Sequence, residues 1–121
     1  MRCADAGKRL PTAAEWERAA SAAKLDPKQA NLKAKKSAPA EVGSHPGDCT
    51  TDGVCDLLGN VMEWTADDFP KKAGNKVVRG GSFNVGLDAG WYATILARTP
   101  LPPDTSDREL GFRCAEDAPA P

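Results

Sequence analysis

Between Asp26 and Asp52 the chain carries lysine, proline, glycine and aspartate in no helical or strand period. A connection this long is uncommon in a compact domain unless it is pinned, functional or disordered. In a chain of 121 residues, one domain's worth or less, it sits beside a single small core. Eleven glycines, ten prolines and an aromatic share of 6% point the same way, to a loop-rich protein and away from a helical bundle. Either a local disulfide or a bound ion could pin such a loop.

Four cysteines bear on the first option: Cys3, Cys49, Cys55 and Cys114. They allow three complete pairings. Cys49 and Cys55 flank a turn-forming Thr-Thr-Asp-Gly-Val stretch and could close a local disulfide. Cys3 and Cys114 lie near the two ends and could staple them. Zinc is a competing use of four cysteines, but no CxxC knuckle occurs and the spacing is uneven. Free buried thiols are the third reading. Disulfides imply an oxidising compartment.

Local signals mark the remaining elements. Gly7 terminates a short helical turn ending around Ala6. Thr12 is an N-cap with Glu15 as its capping-box partner, and Trp16, Ala19, Ala20 and Ala23 give the following helix an apolar face that ends before Pro27. Val77 to Phe83 reads as a strand broken at Gly80 and Gly81. Trp91 to Ala97 reads as a short strand or helical turn, Leu101 to Arg108 as a loop, and Leu110 to Cys114 as a final strand.

A net charge of -1 gives no basic surplus for nucleic acid. The run Lys33, Lys35, Lys36 lacks an aromatic residue for base stacking. No apolar run approaches a membrane span, and no secretory apolar core opens the chain. Walker, Rossmann, nucleophile-elbow and HExxH patterns are absent. His45 sits in a Ser-His-Pro-Gly turn with no nucleophile to serve and reads as a solvent-facing loop residue. Trp16, Trp64 and Trp91 read as core anchors. Arg79 and Arg113 lie in or beside strands, where a buried guanidinium needs a carboxylate, and Glu63 is a candidate partner.

Asp56 and Glu63 bracket Gly59 and Asn60. Calcium takes six to eight oxygens, mixing carboxylates with carbonyls of a flexible loop. On the residues alone, the plainer reading is favoured: Asp56 caps a turn and Glu63 pairs with an arginine.

Three segments together resemble the formylglycine-generating-enzyme (sulfatase-modifying factor) family. They are Gly7-Lys8-Arg9-Leu10-Pro11-Thr12-Ala13-Ala14-Glu15-Trp16-Glu17, Asp56-Leu57-Leu58-Gly59-Asn60-Val61-Met62-Glu63-Trp64-Thr65, and Val78-Arg79-Gly80-Gly81-Ser82-Phe83 closed by Gly111-Phe112-Arg113-Cys114. The resemblance implies an α+β chain with an elaborated C-type-lectin-like fold of low regular secondary structure. Family domains carry strands and a helix before the first segment. The chain therefore reads as an N-terminally truncated, partial domain over residues 1–116 with a flexible tail over 117–121.

In the family, the second segment wraps a structural calcium. Asp56 stands at a side-chain ligand, Gly59 and Val61 at carbonyl ligands, and Glu63 at the carboxylate ligand. The resemblance thus turns the expectation toward calcium. Asn31 and Leu32 resemble the first ligands of a second family site, but no later acid follows clearly between Lys33 and Val42. Many family members also carry paired cysteines where Cys3 and Cys114 stand.

The catalytic pattern departs. Family enzymes oxidise a sulfatase cysteine with oxygen and copper held by two cysteines just after the Gly-Gly-Ser-aromatic motif. Asn84 to Trp91 contains no cysteine, and Asn84 or Asp88 cannot replace thiolates on copper(I). The expectation is a non-catalytic, calcium-stabilised binding or accessory module. It would be secreted, periplasmic or otherwise extracytoplasmic, with an unknown protein or small-molecule ligand or further domains of a longer parent as partners. The alternative is a copper- or iron-dependent oxidoreductase relative acting on a protein or small-molecule thiol, or a fragment of one. His45 alone cannot supply an iron triad.

Overall fold

A computed structural model describes residues 2–22, 24–32, 38–85 and 95–119. Among the described residues, one α-helix packs on a four-stranded sheet, and loops with short 3-10 turns make up the rest. Helix α1 spans Ala13–Ser21, and strands β1 to β4 span Met62–Asp68, Lys76–Arg79, Arg98–Leu101 and Leu110–Gly111. The spatial order is β3-β2-β1-β4. β2 runs antiparallel to both neighbours, whereas β4 runs parallel to β1.

The start of α1 follows its sequence. Thr12 Oγ1 accepts from Glu15 N at 3.1 Å, and Glu15 Oε1 accepts from Thr12 N at 2.8 Å. Two otherwise orphaned N-terminal donors are thereby satisfied. Arg9 clamps the same carboxylate in bidentate fashion, at 2.7 and 2.8 Å. Trp16 and Ala20, one turn apart, form the buried stripe and meet Leu57. A second core joins Ala30, Leu32 and Leu58, and Leu25 and Ile95 pack against both.

Period two governs β1. Glu63 and Thr65 are buried, and Thr65 Oγ1 donates to Val77 O at 2.7 Å. Trp64 falls on the opposite face and is only half-buried, so of the expected tryptophan anchors Trp16 alone is fully buried among the described residues. Trp91 lies outside them. β2 stops at Gly80, whose φ is 85°. A Cβ there would meet Leu57 O at 2.9 Å and the Trp16 ring at 3.3 Å, so close approach as well as conformation demands glycine.

Two strand assignments need correction. β3 was not expected, and its Pro100 is tolerated because among the described residues β3 is an edge strand with no ladder partner beyond it. Only Leu110–Gly111 of the expected final strand is regular, after which Ala115 bridges Arg9. Of the segment expected as a strand or turn over Trp91 to Ala97, only residues 95–97 are described, and 95–96 form a turn.

Candidate metal centre

A hairpin precedes the Asp56–Glu63 loop. Asp56 N donates to Asp48 O and Thr50 N to Val54 O, both at 2.9 Å, and the Cys49–Cys55 disulfide closes the hairpin between them. Asp56 and Asn60 then both adopt left-handed backbone, at φ 61° and 74°. Aspartate and asparagine tolerate this conformation better than other side chains. Between them the N–H groups of Leu58 and Gly59 turn inward onto the Asp48 carboxylate, at 2.8–3.1 Å. Asp48 is fully buried.

These bonds orient the carbonyls. In a trans peptide, C=O points opposite to the next N–H. Asn60 N donates to Asn31 O at 3.0 Å, so Gly59 C=O points away from Asn31. Met62 N donates to Glu109 O at 2.7 Å, so Val61 C=O points away from Glu109. The carbonyls of Leu58 and Asn60 are taken by Gly81 N and Phe83 N, at 2.9 and 2.8 Å. Gly59 itself can bear no side chain: a Cβ would stand 2.6 Å from Asn31 O.

Asp56, Asn60, Val61 and Glu63 line one cavity of about 660 Å³, together with Trp16 and Arg113. Gly59 packs behind it against Asn31. Asp56 Oδ2 accepts from Gly43 N at 3.0 Å. Glu63 accepts from Arg113 Nε and from Trp16 Nε1 on Oε1, and from Arg113 Nη2 at 2.9 Å on Oε2. Arg113 Nη2 also donates to Cys55 O at 2.7 Å. The Glu63–arginine pairing expected from the residues alone is therefore present, with Arg113 as the partner.

Burial pushes the Glu63 and Asp48 carboxyls above their ordinary values. Arg113 opposes this for Glu63, and the Leu58 and Gly59 N–H groups oppose it for Asp48. Burial pulls Arg113 down, but Glu63 more than offsets it and the net shift is upward. Arg79 is fully buried elsewhere. It donates to Ile95 O at 2.6 Å and to Glu17 at 3.3 Å, and lies 5.0 Å over the Trp16 ring.

Among the described residues, no three His, Cys, Asp or Glu side chains converge as a metal-binding group. Cation ligation here must therefore draw on carbonyls, as calcium sites do. The buried charge fits such an ion: Asp48, Asp56 and Glu63 are each at least 95% buried, and Arg113 is the one cation paired with any of them among the described residues. Of roughly four lone-pair sites on Glu63, three N–H donors occupy three.

Asn31 marks a second point of interest. Its amide donates to Ala38 O at 3.0 Å and to Asn60 Oδ1 at 3.2 Å, while its buried Oδ1 has no partner among the described residues. His45 is half-buried at the start of a 3-10 turn, its Nδ1 3.2 Å from Ser44 Oγ. Sequence reasoning missed Asp48, which carried no local signal beyond following a Pro-Gly turn.

The second disulfide, Cys3–Cys114, joins the N-terminal turn to the segment after β4. All four cysteines are thus paired. Asn84 is exposed and Val85 packs on the core, while residues 86–94 lie outside the described residues. No helix among the described residues is long and apolar enough to cross a membrane.

Fold and loops together define a disulfide-stapled α+β scaffold in which buried charge is shared between the sheet, at Glu63 and Arg79, and the irregular segment, at Asp48 and Asp56. A family model, the sulfatase-modifying factor enzyme 1-like domain, matches residues 2–118, and the chain belongs to that family. It is 36% identical to the inactive Cα-formylglycine-generating enzyme 2 of Mus musculus, covering 98% of this chain and 46% of the relative. It is 31% identical to the formylglycine-generating enzyme of Mus musculus, covering 95% of this chain and 41% of the relative. The chain thus spans less than half the length of these relatives. Among solved structures it is similar to Treponema denticola variable protein 1, with a TM-score of 0.73 and 27% identity over 87% of this chain and 46% of that one.

Proposed function

We propose that the chain is a calcium-stabilised, non-catalytic module of the formylglycine-generating-enzyme type, serving as a binding or accessory unit. The observation that carries the calcium half is the charge imbalance. Three buried carboxylates, Asp48, Asp56 and Glu63, face one guanidinium. Buried carboxylates in excess of their cations cost free energy unless protonated or neutralised, and a divalent cation would cancel this surplus. Asp56 and Glu63 supply side-chain oxygens, and Gly59 and Val61 supply carbonyls. Asn31 Oδ1, without a partner among the described residues, and the Leu32 carbonyl are the first oxygens a second ion would take, but no later acid between Lys33 and Val42 clearly completes that site.

Three facts support the non-catalytic half. No cysteine follows the Gly80-Gly81-Ser82-Phe83 motif through Trp91. The four cysteines present are consumed in disulfides, so no thiolate pair is left for copper. One of the relatives is itself named inactive. The disulfides suit a secreted, periplasmic or other extracytoplasmic setting, where such bonds persist. A protein or small-molecule ligand would be recognised by the surface, or the module would serve other domains of a longer parent.

Isothermal titration of chelator-treated protein tests the reading. At least one calcium ion should bind, and the melting temperature should rise with calcium. Absence of both effects would sink the calcium half. Oxygen uptake with copper and a cysteine peptide would sink the non-catalytic half.

A further inference from the structure

We infer that Asp48 is the positioning residue of the candidate cation loop, holding its peptide planes in place from a hairpin stapled by Cys49–Cys55. The inference rests on the calcium reading above and adds to it a residue outside the ligand set.

The geometry makes Asp48 a hub. Its backbone oxygen accepts Asp56 N at 2.9 Å, which fixes the residue entering the loop. Its carboxylate accepts Leu58 N on both oxygens and Gly59 N on one. Two successive peptide planes are thereby locked between the left-handed turns at Asp56 and Asn60. Consecutive N–H groups beside left-handed residues form an anion-binding concavity, and here the chain fills it with its own carboxylate. The N–H groups of Leu58 and Gly59 are thus drawn to one side, and the carbonyls of Leu57 and Leu58 lie toward Gly80 and Gly81 on the other.

The carboxylate has no alternative employment. Asp48 is fully buried and makes no ion pair among the described residues. Its side-chain bonds go to backbone N–H groups of the loop, so what they fix is the loop. The disulfide sets where it stands: Cys49 and Cys55 directly follow Asp48 and precede Asp56, so the staple keeps hub and first ligand in register. Groups that orient metal ligands from outside the ligand shell typically contribute 10–100-fold to metal affinity.

The test is calcium titration of the whole chain as wild type, D48N and the double variant C49S/C55S. Asparagine keeps the size of Asp48 but offers one acceptor oxygen instead of two. D48N should weaken calcium binding about 10-fold or more. It should also narrow the preference for calcium over magnesium and raise the number of waters on bound terbium, read from luminescence lifetimes in H2O and D2O. A purely structural role would lower the melting temperature and leave the selectivity and the water number where they were. Unchanged affinity, selectivity and water number in a folded D48N overturn the inference alone. If D48N does not fold, C49S/C55S decides: a loss of affinity in the same direction supports the clasp, and unchanged affinity overturns it. A wild-type chain that binds no calcium overturns the site itself and the inference with it.

Discussion

Arg113 is the cation paired with Glu63, the carboxylate that the proposed calcium site uses, which makes R113M the most informative substitution. The Glu63 side chain is 5% exposed and that of Arg113 30%. Breaking a buried pair leaves an uncompensated charge and costs about 3–5 kcal/mol; the partial exposure of Arg113 places the expected loss near about 3 kcal/mol. In a domain of this size that lowers the melting temperature by about 10 °C. Without Arg113, three buried carboxylates face no cation paired to them among the described residues, and the pull on a divalent ion rises. Calcium at about 100 times its Kd would then return about 2.7 kcal/mol, nearly the whole loss. Differential scanning fluorimetry of wild type and R113M, each with chelator and with calcium, reads both effects. A loss below about 1 kcal/mol in chelator would refute the argument from burial. A full loss that calcium does not restore would refute the argument from charge surplus, leaving Glu63–Arg113 as an ion pair and nothing more.

Other outcomes follow from the same structure. G59A places a Cβ 2.6 Å from Asn31 O, a backbone atom that cannot swing aside, so a destabilisation of about 2 kcal/mol or more is expected in urea titration. Arg9 holds the Glu15 carboxyl at about 2, below its ordinary range. Its folded value is depressed, so its stabilising contribution is complete above the unfolded value and disappears as pH falls toward 2. Carboxyl NMR should show this, and R9Q should move the midpoint upward. Removing Cys3–Cys114, with a sequence separation of 111, should destabilise by about 4–5 kcal/mol in the chain-entropy model, well beyond the effect of removing Cys49–Cys55, with a separation of 6. Chemical denaturation of the two double-serine variants gives the ranking, and the reverse order would contradict it.

What was legible in the sequence was what a few neighbouring residues encode. The Thr12 cap needs only Glu15, three positions on, and it formed as read. The break at Gly80 needs only glycine's backbone freedom. The family segments likewise placed the chain in its family and its α+β class. β3 was hidden because Arg98-Thr99-Pro100-Leu101 shows no alternation, and its pairing with β2 is set by register across the sheet. Asp48 was hidden for a similar reason: nothing near it in sequence says that N–H groups ten and eleven residues on will turn toward it.

The partner of Glu63 shows where local reading ends and why the difference matters. Two arginines were available, and the register sets Arg79 directly opposite Glu63 on the sheet. Residues facing one another in this way normally pair. Arg79 is drawn instead to the helix side, to Glu17, Ile95 O and the face of Trp16, because α1 packs over that part of β2 and offers a carboxylate and a ring together. Glu63 is left to Arg113, which reaches it from the segment beyond β4. Had Arg79 also turned to Glu63, two guanidiniums would stand against Asp48, Asp56 and Glu63, and the surplus would fall to a single charge that protonating one carboxyl could remove. With Arg79 committed to the helix, the surplus is two, the charge that calcium would supply.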